Sequence, residues 1–225
     1  MGLAEKFFSN ARKPAGLLGK IMIAGMNIFH APVAHWGMSH LNIPEPADIA
    51  ELGCGGGKNI TDLLRKYPYS HVTGLDYSPL SLEKACKHNR KYIASGRCEL
   101  VEGDVSALKF DDEKFDLATA FETIYFWPGL VRCFGEVRRI LKDGGHFLIV
   151  SESDGQDSPS MWFKKHIDGM NTYPPPGNRV RTTLRRLQEH QERTSPKILM
   201  DSHHRRKVGT KIPGHTFTAG KCITA

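Results

Sequence analysis

Two short apolar runs of this chain end in residues that could bind a ligand. Glu51 lies in the first run, residues 48–55, which ends in closely spaced glycines, and Asp76 ends the second run, residues 71–76. Glycines let a backbone turn tightly and come close to a ligand, and carboxylates accept hydrogen bonds. The pattern indicates a ligand site at the carboxyl end of a sheet, beside the N-terminus of a helix.

A parallel sheet would bring these ends together. Residues 97–104, 115–122 and 145–152 resemble three further strands, and helical segments separate the runs at roughly 59–66, 78–93 and 129–141. Strands that alternate with helices in this way predict an α/β fold with a doubly wound, mostly parallel sheet. Residues 3–41 come before the first strand and have apolar residues at helical spacing, which predicts an N-terminal helical cap.

The glycine cluster departs from the dinucleotide fingerprint GxGxxG, because Lys58 stands where the third glycine belongs. An acidic residue followed by GxGxG instead resembles motif I of the class I S-adenosylmethionine-dependent methyltransferases. Residues 136–152 resemble the late helix, turn and fifth strand of that family. The resemblance covers about residues 45–155. It implies a Rossmann-like fold and S-adenosyl-L-methionine as the cofactor.

The resemblance also implies which residues hold the cofactor. The acid and the glycines of motif I would hold its methionine portion, the carboxylate at the end of the second strand its ribose hydroxyls, and the residues after the third strand its adenine. In chain order the expected cofactor residues are Glu51, Gly53, Gly55, Gly57, Asp76, Tyr77, Asp104, Val105 and Phe121.

The fourth predicted strand leads into Phe121-Glu122-Thr123-Ile124-Tyr125-Phe126-Trp127-Pro128, at the edge where the family places its acceptor. The Asp/Asn-Pro-Pro-aromatic motif of the branch that methylates DNA and RNA amino groups does not occur there. The local aromatic residues favour a small, partly apolar acceptor.

Glu122, Tyr125 and His35 are the candidate catalytic residues. Glu122 could orient the acceptor or remove its proton, but it could equally be a structural carboxylate that binds backbone amides. Tyr125 and Trp127 could line the pocket or simply pack in the core. Three histidines recur five residues apart in the cap region, and His35, beside Trp36, is the one that we expect to reach the site. Trp162 and Asp168 are weaker candidates for the pocket.

The composition limits the other functions that need to be considered. An apolar content of 40% with 24% charged residues is typical of a globular protein. The longest apolar stretches are too short or too interrupted to span a bilayer, and the first residues do not resemble a secretory leader. The five cysteines are scattered, without a CxxC pair or metal-ligand spacing, so we expect no metal site and a reducing, cytoplasmic location.

The net charge of +7 is unevenly distributed. Residues 174–225 carry 11 Lys and Arg against three acidic residues, whereas residues 1–173 carry 20 against 21. We therefore expect three parts, which are a cap over residues 1–44, a cofactor-binding domain over residues 45–173 and a basic, disordered or out-of-frame tail over residues 174–225. The tail does not resemble the final antiparallel strand pair of the family, which we expect to be missing or degraded.

A frameshift would explain this tail. A shift of one base from Pro175 forward turns Met200-Asp201 into a codon for Trp, and it permits Ala-Gly-Phe at residues 185–187. The shifted sequence resembles the C-terminal segment of the family, which this chain lacks. We hypothesise that a frameshift near residues 173–176 replaced it, leaving the fifth strand as an exposed apolar edge.

The preferred interpretation is a methyltransferase with a small-molecule acceptor, no nucleic-acid partner and an undetermined oligomeric state. Three alternatives stay open. An NAD-linked oxidoreductase is disfavoured by Lys58, an impaired cofactor-binding relic would follow from a defective C-terminus, and a nucleic-acid-binding protein would have to use the basic tail.

Overall fold

The computed structural model describes residues 30–151 without interruption, together with residues 16, 19, 21–23, 25, 165, 170–171 and 197–202. Six strands form a single sheet in the order β3-β2-β1-β4-β5-β6, and every pair of neighbours is parallel. The strands are β1 (Asp48–Leu52), β2 (His71–Asp76), β3 (Cys98–Glu102), β4 (Phe115–Phe121), β5 (Leu141–Ser151) and β6 (Lys197–Ser202).

Four helices lie within the described part, and a short 3-10 helix at Ile124–Phe126 follows β4. Ser78 caps the longest helix, since its hydroxyl accepts a hydrogen bond from the backbone N–H of Ser81 at 3.4 Å and Pro79 occupies the first position. The helices are α1 (Ala31–Ser39), α2 (Lys58–Lys66), α3 (Pro79–Ala94) and α4 (Leu130–Ile140).

The helices cover both faces of the sheet, as the doubly wound prediction requires. On one face α1, α2 and α3 pack against alternate residues of the central strands, such as Ile49 and Leu148. On the other face α4 packs against the neighbouring residues, such as Ala50 and Phe147. Every residue of β1 and β4 is therefore buried, as is typical of central strands in a parallel sheet covered on both faces.

The cap region touches the sheet directly. Gly37 of α1 lies so close to β5 that a Cβ added to it would be 2.3 Å from a methyl carbon of Val150. Residues 16, 19, 21–23 and 25 are also helical. The described residues of the predicted cap are thus largely helical. Among the helices that the structure describes, none has both the length and the apolar character needed to cross a membrane.

Two details differ from the sequence expectation. The fifth strand, predicted from residue 145, begins at Leu141 directly after the helix that ends at Ile140, and Leu141 pairs there with Phe115. The edge of β5 was expected to be uncovered, but β6 pairs with it in parallel, from His146 with Lys197 to Ser151 with Ser202. The segment of β6 contains Ile-Leu-Met, the longest apolar run after residue 173.

Candidate active site

The glycine loop between β1 and α2 is held against the end of β2. The backbone N–H groups of Gly53 and Cys54 both donate to the carbonyl oxygen of Leu75, at 2.7 and 2.9 Å. Gly53, Gly55 and Gly57 all have positive φ, at 81°, 52° and 77°, a region that favours glycine. A Cβ added to Gly55 would meet no atom within 4 Å, so open space lies beside this glycine.

Gly57, at the start of α2, is needed for close packing against α3. A Cβ on Gly57 would lie 2.4 Å from Nδ2 of Asn89 and 2.9 Å from the backbone of Ala85. The Asn89 amide donates to the carbonyl oxygen of Gly57 at 2.9 Å, and its Oδ1 accepts a hydrogen bond from Thr61 at 2.7 Å. Asn89 was not predicted from the sequence, where an asparagine in the middle of a helix gives no signal of its contact with a distant loop.

Asp76 connects the glycine loop to the start of α3. Its Oδ2 accepts a hydrogen bond from the backbone N–H of Gly55 at 2.8 Å, and its Oδ1 accepts one from the N–H of Ser78 at 2.9 Å. Burial raises the pKa of this carboxyl group, whereas the hydrogen bonds from the backbone lower it. Each oxygen retains a lone pair, so the carboxylate can still accept hydrogen bonds from a ligand.

Glu51 lies under the loop and has no exposed surface. Burial raises the pKa of its carboxyl group to about 8, although hydrogen bonds from the side chains of Thr119 and Asn59 lower it. Thr119 on β4 donates to Oε2 of Glu51. At neutral pH the carboxyl group is therefore mainly protonated. A positive charge placed close to it would favour its ionised form.

A cavity of about 250 Å³ opens above the carboxyl ends of β1, β2 and β4. This volume is just below the range of about 300–1,000 Å³ that is typical of small-molecule sites. Asp76, Tyr77 and Asp104 line its polar part, and Phe121, Phe126 and Trp127 line its apolar part. Of the expected cofactor residues, those that line it are Gly53, Gly55, Asp76, Tyr77, Asp104, Val105 and Phe121, whereas Glu51 and Gly57 support the loop.

Asp104 follows β3 on the far side of Asp76. Its Oδ1 accepts a hydrogen bond from the backbone N–H of Ser106 at 2.7 Å, which fixes the turn after the strand. Val105 is buried and lines the cavity. The loop after β3 therefore brings a carboxylate and an apolar side chain together at the cavity wall.

Glu122 lies at the end of β4 with φ of 56°, a conformation that is uncommon for a residue with a side chain. Its backbone N–H donates to the carbonyl oxygen of Val150 at 2.9 Å. The hydroxyl of Tyr125 donates to Oε2 of Glu122 at 3.0 Å, and His30 Nδ1 lies 3.8 Å from the same oxygen. Tyr125 is buried and reaches the cavity through Glu122 rather than lining it.

Thr123 joins the two halves of the cavity. Its hydroxyl donates to the carbonyl oxygen of Leu52 at 3.3 Å and accepts a hydrogen bond from Nε1 of Trp127 at 2.7 Å. Trp127 in turn stacks on Phe147, with ring centroids 6.0 Å apart. Trp127 therefore both lines the cavity and packs in the core, the two roles that its sequence position allowed.

The expectation that His35 would reach the site is wrong. The ring of His35 lies 2.9 Å from Oδ2 of Asp62 on α2, its side chain is 57% exposed, and it does not line the cavity. Val33, Ala34 and Met38 form the buried face of α1, so His35 is turned away from the sheet. His30, at the start of the same helix, is the histidine that approaches Glu122. Trp162 and Asp168 lie outside the described residues.

Three residues at this site, Ile23, His30 and Thr123, were not predicted from the sequence. A lone isoleucine or histidine in an amphipathic segment carries no signal of the strand end that it will meet. Thr123 lies inside the aromatic segment after β4, and a threonine there suggests a turn more than a contact with the glycine loop.

Comparisons with known proteins agree with this arrangement. Residues 50–149 match a family described as "Methyltransferase domain". Sterol 24-C-methyltransferase erg-4 of Neurospora crassa is 29% identical over 113 residues, which are 50% of this chain and 30% of that protein. Trans-aconitate 2-methyltransferase of Enterobacter sp. is 29% identical over 147 residues, which are 65% of this chain and 54% of that protein. The chain thus spans about a third to a half of the length of these relatives.

Solved structures share the fold. A chain in the complex between the Haloferax volcanii Trm112 methyltransferase activator and the putative methyltransferase is 25% identical, with a TM-score of 0.65 and coverage of 73% of this chain and 70% of that one. Geranyl diphosphate C-methyltransferase from Streptomyces coelicolor A3(2), solved with geranyl diphosphate and S-adenosyl-L-homocysteine, is 17% identical, with a TM-score of 0.60 and coverage of 80% and 68%.

Proposed function

Since residues 50–149 of this chain are a class I S-adenosylmethionine-dependent methyltransferase domain, we propose that the chain transfers a methyl group from S-adenosyl-L-methionine to a small molecule. The main support for this proposal is the hydrogen bond that the backbone N–H of Gly55 donates to the carboxylate of Asp76, at 2.8 Å. It joins the glycine loop to an acidic residue at the carboxyl ends of two adjacent parallel strands. This is the edge at which open α/β sheets bind their ligands.

The residues present fit this cofactor. The open space beside Gly55 leaves room for a ligand next to the glycine loop. Asp76 retains acceptor capacity for the ribose hydroxyl groups, and the turn at Asp104 and Val105 supplies a carboxylate and an apolar contact for the adenine ring. Tyr77, 37% exposed at the cavity, and Phe121, which is buried, would bound the same ligand.

When it is bound, the cofactor supplies an activated methyl group on a positively charged sulfur. The chain would then have to align the acceptor in line with the breaking carbon–sulfur bond and exclude water from it. The aromatic side chains of Phe121, Phe126 and Trp127 would serve both purposes. Where the acceptor atom carries a proton, Glu122 is the group that we assign to remove it.

The shape and lining of the cavity favour a small, partly apolar acceptor over a macromolecule. Phe126, Trp127 and Pro128 line the side next to Glu122, and Ile23 adds an apolar side chain from the N-terminal region. The acceptor would therefore combine an apolar body with one polar group placed at Glu122. The sterol and trans-aconitate methyltransferases are methyltransferases of small molecules, which agrees with this inference.

We also infer a reducing, cytoplasmic location. The four cysteines within the described residues are free thiols, and Cys54 and Cys98 are close enough to influence each other without forming a disulfide. Burial raises the pKa of the Cys54 thiol well above its usual range, so that it is held in its unreactive form. Fractionation of the native host cells would test this inference.

Methyl transfer from a labelled donor tests the proposed function. The full chain would be incubated with S-adenosyl-L-methionine labelled in the methyl group and a small-molecule extract of the host, and separately with total RNA. We expect label in a small organic product, less label with Asp76→Asn, and none in RNA. Label in RNA would contradict the small-molecule acceptor, and tight binding of NAD without binding of the sulfonium would contradict the family's chemistry.

A further inference from the structure

We propose that His30 carries the acceptor's proton from Glu122 to solvent, so that the two residues form a proton-accepting pair. This inference rests on the proposed function, because it assigns a second residue to the acceptor side of the same site. His30 comes from the start of α1, whereas Glu122 follows β4, and the fold brings Nδ1 of His30 to 3.8 Å from Oε2 of Glu122.

The exposure of the two side chains suggests the direction of transfer. The side chain of Glu122 is 7% exposed, and that of His30 is 33% exposed. Nδ1, the His30 atom that faces Glu122, is itself buried, so the ring reaches solvent through its other atoms. A carboxylate that accepts a proton in a closed site needs a route to release it before the next turnover. An imidazole ring with one buried and one accessible side can provide this route, because each nitrogen can hold the proton.

Three further contacts fix the position of Glu122 and of the tyrosine bound to it. Tyr125 donates from its hydroxyl to Oε2 of Glu122 at 3.0 Å, and the same hydroxyl contacts Ser151 Oγ on β5. The hydrogen bond from the N–H of Glu122 to Val150 supports its uncommon positive φ. A strained backbone conformation that several contacts stabilise is typical of functional sites.

Methyl transfer to an acceptor atom that carries a proton releases this proton to the pair. An electron pair on the acceptor atom forms a bond to the methyl carbon, and the electrons of the carbon–sulfur bond return to sulfur, which becomes a neutral thioether. The acceptor's proton passes to Oε2 of Glu122 and then to Nδ1 of His30, and a proton leaves from Nε2 to water. The distance of 3.8 Å is longer than a hydrogen bond, and such contacts commonly shorten when a ligand closes the site.

The titration of His30 tests the pair without any knowledge of the acceptor. Among the described residues, Glu122 presents the negative charge that faces His30, Tyr125 is the second titratable group at that carboxylate, and the Ser151 hydroxyl is neutral. We would follow the histidine ring signals by NMR over pH in the full chain and assign His30 by its loss in His30→Gln. We expect Glu122→Gln to lower the His30 midpoint by about one pH unit, because a nearby carboxylate favours the charged ring.

A second experiment measures activity, with the labelled methyl donor and host extract as the probe. We expect His30→Ala to lower labelled product about tenfold near neutral pH and free imidazole to restore part of it, as it would for a lost proton carrier. His40→Gln, at an exposed histidine of the same region, is the matched control and should leave the product unchanged. Binding of S-adenosyl-L-homocysteine should be the same in all these variants.

The outcomes separate this inference from the proposed function. If the unmodified chain does not bind S-adenosyl-L-homocysteine, the proposed function itself is wrong. Normal binding with a His30 midpoint that Glu122→Gln leaves in place, or with His30→Ala as active as the unmodified chain, would overturn the pair alone. Should Glu122→Gln fail to fold, Tyr125→Phe gives a second test: freeing Oε2 of its hydroxyl donor should raise the His30 midpoint, and an unchanged midpoint would contradict the pair.

Discussion

The hydroxyl oxygen of Thr123 lies 2.6 Å from the position that a Cβ would take on Gly53. Residue 53 therefore has to be glycine for two reasons: a larger side chain would clash with Thr123, and its φ of 81° favours glycine. Because Thr123 also accepts the hydrogen bond of Trp127, the contact links the cofactor loop to an aromatic residue of the acceptor side. The two halves of the site are positioned by a shared contact.

Replacing Gly53 by alanine should destabilise the chain more than the same change at Gly55. Both glycines have positive φ, but an added methyl group meets Thr123 at residue 53 and open space at residue 55. We expect a loss of about 3 kcal/mol in the free energy of unfolding for Gly53→Ala and about 1 kcal/mol for Gly55→Ala. Urea unfolding measures both, and equal losses would show that backbone strain alone decides the cost.

Removing the Thr123 hydroxyl should loosen the aromatic side of the cavity. Thr123→Val keeps the shape of the side chain but leaves Nε1 of Trp127 without its acceptor, and Thr123→Ser keeps the hydroxyl. We expect Thr123→Val to cost about 1–2 kcal/mol of unfolding free energy and to change tryptophan fluorescence, whereas Thr123→Ser should keep the native emission. A valine variant as stable as the unmodified chain would show that this hydrogen bond does not stabilise the fold.

Stability should fall as pH rises through neutrality, because burial raises the pKa of Glu51 to about 8. The unfolded carboxyl group loses its proton near pH 4.5, so between these values the folded state binds more protons than the unfolded state does, and each increase in pH favours unfolding. Urea unfolding at pH 6.5 and pH 8 should show a decrease of up to about 2 kcal/mol that is absent in Glu51→Gln.

Other groups with shifted pKa values also contribute to the pH dependence, and comparison with Glu51→Gln separates Glu51 from them. Burial raises the pKa of Asp48 to about 6, so this group changes the stability mainly below pH 7. Burial lowers the pKa of His71 to about 4, so this group makes the stability rise with pH between about pH 4 and pH 6.5. The difference between the unmodified chain and Glu51→Gln therefore reports on one carboxyl group. The same slope in both proteins would contradict its assignment.

The nucleotide sequence of the gene tests the interpretation of residues 174–225. Reading from Pro175 with a shift of one base should give Ala-Gly-Phe at the codons of residues 185–187 and a stop codon at residue 208. Codons that exclude these outcomes would contradict the frameshift and leave the basic tail as native sequence. If the frameshift is present, a restored chain should replace the parallel strand Lys197–Ser202 by the family's antiparallel pair.

The order of strands and helices could be predicted because both faces of the central sheet are buried. The strand 71–76 was predicted with its observed bounds, and the helix predicted at roughly 78–93 is observed at Pro79–Ala94. Asp76 and the glycines could be found because their spacing along the chain reflects neighbouring strand ends. Contacts between distant segments could not be predicted in this way.

His30 and Thr123 illustrate that limit. Helical spacing in the cap gave no indication of where α1 would cross the sheet, so the sequence favoured His35, which instead pairs with Asp62. Gly37 determines the crossing because it lets α1 approach Val150, and that approach places the start of the helix near Glu122. A glycine within a helix indicates close packing but not the element against which it packs.

Calorimetric titration with S-adenosyl-L-homocysteine tests whether the site at Asp76 binds the proposed cofactor. We expect the full chain to bind and Asp76→Asn to bind at least tenfold more weakly, because an amide cannot accept hydrogen bonds from both Gly55 and Ser78 as the carboxylate does. The control is Glu102→Gln, at an exposed carboxylate nearby, and it should bind as the unmodified chain does. Binding of NAD in place of S-adenosyl-L-homocysteine, or equal affinity of the unmodified chain and Asp76→Asn, would contradict the account.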